Sequence, residues 1–445
     1  MVTKRNDRVV VLGGGVVSSL GHCVDDLWSS ILEGRTCVDT IPTHWGEYYE
    51  SKSKYWSPLN LPDYSKSNLR RSDRLTLDVN VLNSVVASDE AVRTSGLTQT
   101  SPTEKTQRLK ITSNRTGIFV GTGLGCVTST LDNFAPHLLN GLYGNPRSDQ
   151  IPPHAVSYLR DHKRVSPVAS LMSMGNSIAA QLAIRYDITG PVETNLMACS
   201  SGAYAIHRAS ECIRSGDIDV AICGGSEYYG DHSGAIFMAF DRLGTLAHAD
   251  LPADKINRPF DKARSGFLFS QGASCFVVLA RESYATAIKR PIAELKASGC
   301  TTDAHSLVAI SKDKNSIREL IDQTLTKAGL TPDDIDYVSA HGTSTNQNDL
   351  IEGNLIAEIF GERPAVNSAK SYLGHTIAAS GAIEMLLSVK VLETGTIYRN
   401  LNLSKPICPI WLPKTTVKMP VKNALTQNFG FGGHNVAIVV SNYHN

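Results

Sequence analysis

The sequence predicts an α/β fold with buried sheets, on three observations. Short apolar runs recur at 220–223, 275–279, 292–297, 335–340, 365–368 and 435–440. Helical periodicity fills some of the intervals, as at 316–328 and 382–393. The composition, 42% hydrophobic and 19% charged over 445 residues, is that of an ordinary globular chain, long enough for one large fold or for two to three domains. Because the apolar runs do not alternate with polar residues, each strand is expected to be covered on both faces, as in sheets enclosed by helices.

Charge and cysteine usage narrow the classes. Lys+Arg 43 against Asp+Glu 42 leaves a net charge of +1, so no global field draws the chain to nucleic acid or to a membrane surface. Any charged partner must meet a local patch. No apolar stretch approaches the roughly 20 residues of a membrane span. The nine cysteines, at 23, 37, 126, 199, 212, 223, 275, 300 and 408, have no CxxC spacing, which argues against a disulfide framework or structural zinc and fits a reducing cytoplasm.

Taken in order, the chain opens on a buried strand at 9–12 followed by Gly13, Gly14 and Gly15. Lys4, Arg5 and Arg8 ahead of it imitate a signal peptide, but the glycines interrupt the apolar run at once. Neither this stretch nor Gly121-Thr122-Gly123-Leu124-Gly125-Cys126, after a strand at 117–120, completes GxGxxG. Both are expected to be tight strand-to-loop turns against something buried. Between 51 and 74, Lys52, Lys54, Lys66, Arg70, Arg71 and Arg74 interleave with Tyr55, Trp56 and Tyr64, by default a solvated face. The stretch 98–110 reads as a surface excursion, 140–166 as an elaborated loop, and 281–290 as the best candidate for a seam between halves.

Chemistry gathers where strands end. From Thr194 to Gly202 an extended stretch passes into a helical one, with Ala203, Ile206, Ser210 and Ile213 at helical spacing and Gly216 as the stop. Cys199 stands at the junction. Unpaired N–H groups and the helix dipole there favour thiolate over thiol, which makes Cys199 the candidate nucleophile, although most cysteines are buried filler. From Tyr337 to Thr345, a strand end carries His341, Thr343 and Thr345; a structural turn with local hydroxyl bonding is the plain alternative. From Asn367 to His375, Lys370 lies among small and apolar residues and needs an acid such as Glu384, while His375 near a helix N-terminus is kept neutral. From Asn428 to Asn435, glycines flank Phe429 and Phe431 in a loop able to approach a ligand closely and to move. A thiol, two histidines, a lysine and such a loop suit acyl transfer better than redox or metal chemistry; no residues have metal-ligand spacing.

Four motifs, spread in order over essentially the whole chain, carry a resemblance. They are Ala198-Cys199-Ser200-Ser201-Gly202; His341-Gly342-Thr343-Ser344-Thr345 with Asp349 and Glu352; Lys370 through Gly374-His375 with Glu384; and Gly430-Phe431-Gly432-Gly433. On these the sequence resembles the β-ketoacyl-acyl-carrier-protein synthases of the elongating type II branch. The resemblance implies a thiolase-like fold of two consecutive half-folds in five layers, α/β/α/β/α, with 8–284 carrying the nucleophile and 285–443 the histidines, lysine and gating loop. It implies decarboxylative Claisen condensation. Cys199 takes an acyl chain from a carrier protein, and His341 and His375 hold the malonyl thioester carbonyl as decarboxylation makes it an enolate. The backbone N–H groups of Cys199 and Phe431 meet the second oxyanion, Lys370 tunes the histidines, and Phe431, with Phe429 and Gly430, forms the gate. Thr343 and Thr345 hold the phosphopantetheine arm, which arrives on the carrier as substrate, so no resident cofactor is implied. Acyl carrier protein and a dimer partner, either an identical chain or a ketosynthase-like chain-length subunit, are the implied partners, in the cytoplasm.

Three positions depart from the family's pattern. His434 stands where threonine or serine is usual, and Ser265 and Gln271 stand where acids are, in what the resemblance makes the loop facing the gate. These departures favour a specialised polyketide or polyene synthase over the housekeeping fatty-acid enzyme. A thiolase would carry a second, late cysteine in a glycine loop, and Cys408 has no such setting. A non-catalytic partner subunit would lack the nucleophile, which Cys199 supplies. The basic run at 51–74 gains a second reading as a docking face for an acidic carrier.

Overall fold

The computed structural model describes residues 7–47, 49–67, 69–97, 112–143 and 167–444. The stretch expected as a surface excursion at 98–110 lies outside them, as does most of the loop expected at 140–166. Among the described residues the main sheet has ten strands: β1 (Val9–Val17), β2 (Thr116–Gly121), β3 (Val192–Asn195), β4 (Val220–Tyr228), β5 (Gly272–Arg281), β6 (Ala293–Thr302), β7 (Tyr337–Ser339), β8 (Ala365–Asn367), β9 (Asn423–Gly430) and β10 (His434–Asn442). All six apolar runs read from the sequence fall on strands.

The strand order contains a repeat that periodicity did not reveal. Across the sheet it runs β8-β7-β9-β10-β6-β1-β5-β4-β2-β3. Counted from β1, the first five strands lie 1-5-4-2-3, and counted from β6 the second five lie in the same relative order. Pairing repeats too: β1/β5 and β5/β4 are antiparallel, β4/β2 and β2/β3 parallel. In the second half β6/β10 and β10/β9 are antiparallel, and β9/β7 and β7/β8 parallel. The halves join where Val9, Val10 and Val11 pair with Leu295, Glu294 and Ala293. The candidate seam at 281–290 holds the short helix Glu282–Ala285 between β5 and β6.

Helices complete five layers. The helices Ser201–Ser215 and Ser380–Thr394 touch each other and strands of both halves, which makes them the middle layer. The second is buried on nearly every side, as a helix between two sheets must be. Val79–Ser95 covers β1, β4 and β5 from outside, and Asn315–Ala328 covers β6 and β10. Three apolar clusters fill the gaps: one between the halves and one under each outer layer. Among the described residues no helix is long and apolar enough to cross a membrane, and all nine cysteines are free.

Gly13, Gly14 and Gly15 do not form the expected turn; they lie inside β1, and none has positive φ. Their purpose is close approach. A Cβ on Gly13 or Gly15 would come within 2.5 Å of Ser95 N or 2.1 Å of Ala87 O, both backbone atoms of the outer helix. On the opposite face a Cβ on Gly14 would meet Leu386 Cδ1 at 2.4 Å. Alternating glycines thus let helices sit on β1 from both sides. The stretch starting at Gly121 does turn as expected, with Gly125 at φ 67°.

Candidate active site

The site forms where parallel strands of both halves end. Beyond β3 the chain turns through Ala198, which has φ 48°, into a short 3-10 segment Ala198–Ser200 and then the helix Ser201–Ser215. The second half does the same: beyond β8, Ile377 at φ 48° opens Ile377–Ala379 and then Ser380–Thr394. A non-glycine residue held there is strained, and the surroundings must over-determine it. Around Cys199 they do. Ser201 Oγ accepts from Met197 N at 2.8 Å, and Ser200 Oγ bonds the carbonyls of Asn428 and His434, tying the turn to β9 and β10.

Cys199 is 3% exposed. Burial pushes its thiol up to about 12, against the pull of the Lys370 charge and the backbone N–H groups of Phe431 and Cys199 itself. The helix start therefore does not yield the resting thiolate expected from the dipole; desolvation outweighs it. The two N–H groups nonetheless converge on the sulfur.

Both histidines line the cavity that reaches it, in defined tautomers. His375 Nε2 lies 3.1 Å from Cys199 Sγ, while its Nδ1 accepts from Ile377 N at 3.3 Å. The proton is therefore assigned to Nε2. In His341, Nδ1 faces the Lys370 ammonium at 3.3 Å, and because an ammonium can only donate, Nε2 again carries the proton. The rings meet edge to face, with centroids 5.6 Å apart. Burial holds both imidazoles well below the ordinary histidine range, with Lys370 adding to the effect, so both are neutral at pH 7.

Buried acids hold this arrangement. Lys370 Nζ pairs with Glu384 Oε1 at 2.5 Å and donates to His341 O at 2.7 Å; Asn428 Nδ2 donates to the other Glu384 oxygen at 2.6 Å. Glu352 accepts from the backbone N–H groups of His341 and Gly342 at 2.7 and 2.8 Å and from Gln427 Nε2 at 2.7 Å. Asp349 accepts from Phe260 N at 2.7 Å and from Ser344 N. The strand end bearing His341 is thereby fixed by carboxylates one and two turns into the following helix, Asn346–Phe360.

A cavity of about 320 Å³ reaches Cys199 and is lined by His341, His375, Thr343, Thr345 and Phe429 to Phe431. The hydroxyls of Thr343 and Thr345 lie 2.9 Å apart. Phe429 and Gly430 belong to β9 rather than to a loop; only the Phe431-Gly432-Gly433 turn leaves the sheet, with both glycines at positive φ. Gly432 N donates to Leu307 O, Asp303 N to Gly433 O, and Asn435 Nδ2 to Asp303 Oδ1 at 2.6 Å.

Of the departures, Ser265 lines the cavity and accepts from His248 N and Ala249 N. Gln271 does not face the cavity: its Oε1 accepts from Leu59 N at 2.8 Å, away from the cavity lining. His434 backs the turn, its ring about 3.0 Å from where a Cβ on Gly432 would stand. Asp303, just past β6, and Glu227, in β4, went unnoticed in the sequence. The strand-end rule would have found the first, and a lone charge in an apolar run, the signal that singled out Lys370, would have found the second.

A thiol at a helix start, two neutral imidazoles and converging N–H groups define an acyl-transfer site in a two-half α/β fold. Residues 6–285 match the model of the Beta-ketoacyl synthase N-terminal domain and 292–404 that of the C-terminal domain. The chain belongs to the β-ketoacyl synthase family, condensing enzymes of acyltransferase type. It is 30% identical over 450 residues to 3-oxoacyl-[acyl-carrier-protein] synthase 2 of Rhizobium meliloti, covering 98% of this chain and 99% of that one. Among solved structures, a β-ketoacyl synthase from Burkholderia phymatum is 26% identical with a TM-score of 0.83, covering 98% of this chain and 100% of that one. The ishigamide ketosynthase/chain length factor is 25% identical with a TM-score of 0.82, over 99% of this chain and 100% of that one. The fold is thiolase-like.

Proposed function

We propose that the protein condenses an acyl group held on Cys199 with a malonyl group delivered by an acyl carrier protein. In loading, Sγ forms a bond to the acyl carbon, the carrier's C–S bond breaks, and the thiol proton ends on the carrier sulfur. Negative charge on Sγ during attack is met by His375 Nε2–H and the two backbone N–H groups. Malonyl decarboxylation then expels CO2 and leaves an enolate whose oxygen faces the Nε2–H donors of His341 and His375. Neutral donors in a water-poor site stabilise developing charge without giving up the proton. The enolate carbon attacks the acyl-Cys199 carbonyl, and the resulting oxyanion lies against the N–H groups of Cys199 and Phe431 before the thiolate departs. Thr343 and Thr345 line the approach for the phosphopantetheine arm. No resident cofactor enters the scheme. The observation that carries it is one buried sulfur with His375 Nε2–H beside it and His341, edge to face with His375, in the same cavity wall.

A specialised polyketide or polyene role is supported by Ser265 in the cavity wall, by His434 behind the gate, and by likeness to the ishigamide ketosynthase/chain length factor. The housekeeping reading rests on the Rhizobium meliloti relative. A dimer, with an identical chain or a chain-length subunit, agrees with β3 as an edge strand whose Val192 and neighbouring Leu196 are exposed. The half bearing the nucleophile is taken as 8–284, the other as 285–443, and the compartment as the cytoplasm. Intact-protein mass spectrometry after incubation with a panel of acyl carrier proteins is the test. An acyl adduct on Cys199 is expected; none across the panel, with malonyl decarboxylation retained, would indicate a priming or partner role instead.

A further inference from the structure

Beside Cys199 the protein keeps two buried polar groups that condensation leaves unused. Glu227, in β4, is 0% exposed, and Tyr229, just beyond it, 2%. The Glu227 carboxyl accepts from Gly123 N and, at 3.2 Å, from Leu124 N, in the turn after β2. The Tyr229 ring packs on Phe269 and Phe240 within the apolar cluster that holds Cys199, Phe237 and Ile377. Among the described residues its buried hydroxyl makes no hydrogen bond of ordinary geometry, and the polar group beside it is the Glu227 carboxyl. The two groups meet: a Cβ on Gly123 would stand 2.5 Å from Glu227 Oε2, 3.3 Å from Ile377 Cγ2 and 3.4 Å from the Tyr229 hydroxyl.

Space decides what they face. The cavity opening onto Cys199 is lined by His341, Thr343, Thr345 and Phe431, but not by Tyr229, Phe237 or Phe269. The malonyl thioester and its arm need that side to reach the histidines. The other side of Cys199, left for a chain already on the sulfur, is the apolar cluster that contains Tyr229. A saturated chain there would leave the hydroxyl no partner but the poorly aligned Glu227 carboxyl, a shortfall that a ligand oxygen would remove.

We propose that Tyr229 and Glu227 form a polar subsite for the acyl chain on Cys199, selecting chains with a hydroxyl or carbonyl oxygen near the thioester over saturated ones. The inference rests on the reading of Cys199 as acyl acceptor. Burial pushes Glu227 up to about 8, so at neutral pH it also carries a proton that an oxygen can accept. Site-built polar groups reject analogues lacking the matching oxygen because they are then left unpaired.

The test is the rate at which Cys199 gains acyl mass from β-hydroxyacyl and saturated acyl carrier thioesters of equal length. The wild type is expected to load the hydroxylated chain faster, and Tyr229→Phe to lower the ratio of the two rates roughly three- to tenfold, the worth of one hydrogen bond. Glu227→Gln, which keeps an acceptor for only one of the Gly123 and Leu124 N–H groups, should lower it as well. A wild-type ratio of one or less overturns the subsite whatever the variants do, as does an unchanged ratio in Tyr229→Phe. No adduct from either chain would overturn the acyl-acceptor reading, and the subsite with it.

Discussion

His375 Nε2 stands 3.1 Å from Cys199 Sγ as a donor, because Ile377 N–H occupies its other ring nitrogen. The pair is thus neutral thiol and neutral imidazole, not thiolate and imidazolium, which governs the response to pH. With burial holding the thiol up to about 12, only a small thiolate fraction exists at neutrality, and it grows about tenfold per pH unit. Alkylation of Cys199 by iodoacetamide, followed by mass spectrometry, should accelerate from pH 7 to pH 9 without levelling. A plateau near pH 7 would mean an ion pair and reverse the tautomer assignment.

The two histidines should separate by step. His375 touches the sulfur, whereas His341 is fixed by Lys370 farther along the cavity wall. His341→Ala is expected to cut malonyl decarboxylation by about 10²–10³, the usual effect of one lost oxyanion donor, while Cys199 still gains acyl mass. His375→Ala should slow both steps. Equal loss of loading in the two variants would contradict the division.

Lys370 and Glu384 form a buried ion pair, 3% and 1% exposed in their side chains. Breaking it strands a charge, so Glu384→Ala should cost about 3–5 kcal/mol, read from urea midpoints. Replacing both, Lys370→Met with Glu384→Gln, removes the charges together and keeps an acceptor for Asn428 Nδ2. The double variant is expected to regain most of the stability but not decarboxylation, since the His341 tautomer loses its anchor. Recovery of both would reduce the pair to a packing element.

Arg70 and Arg71 are exposed beside the helix Arg71–Thr76, whereas Trp56 of the same basic run is buried against Trp45. The run is therefore part structure and part surface. If the surface part receives an acidic carrier, Arg70→Glu with Arg71→Glu should raise KM for carrier-borne substrate and weaken its dependence on salt. Unchanged KM and salt dependence would leave the run a solvated face.

Local signals were legible and long-range ones were not. The helix stop at Gly216 and the placement of His341 and Lys370 past strand ends depend on neighbours in sequence, and each is found where it was read. The acidity of Cys199 depends on what the fold brings over it, Phe267 and Ile377 among others, so the helix start alone misjudged it. The duplication is one of topology: Ala198 and Ile377 share a backbone angle and a position but no side-chain chemistry, and no sequence period betrays them.

Gly15 tests how far packing on β1 depends on the absence of a side chain. A glycine in sequence signals either a turn or a close approach, and on β1 the close approach is what the fold uses. A Cβ at Gly15 would stand 2.1 Å from Ala87 O and 2.6 Å from Ala91 N, both in the backbone of a helix that cannot yield locally. Alanine normally gains stability over glycine within a strand by restricting the unfolded chain. Here overpacking should dominate, and Gly15→Ala is expected to lose about 1–3 kcal/mol or more in urea unfolding. Gly46→Ala, where a Cβ would meet nothing within 4 Å, is the control and should stay within about 0.5 kcal/mol of wild type. If the two variants unfold alike, the outer helix is not seated on β1 through its glycines.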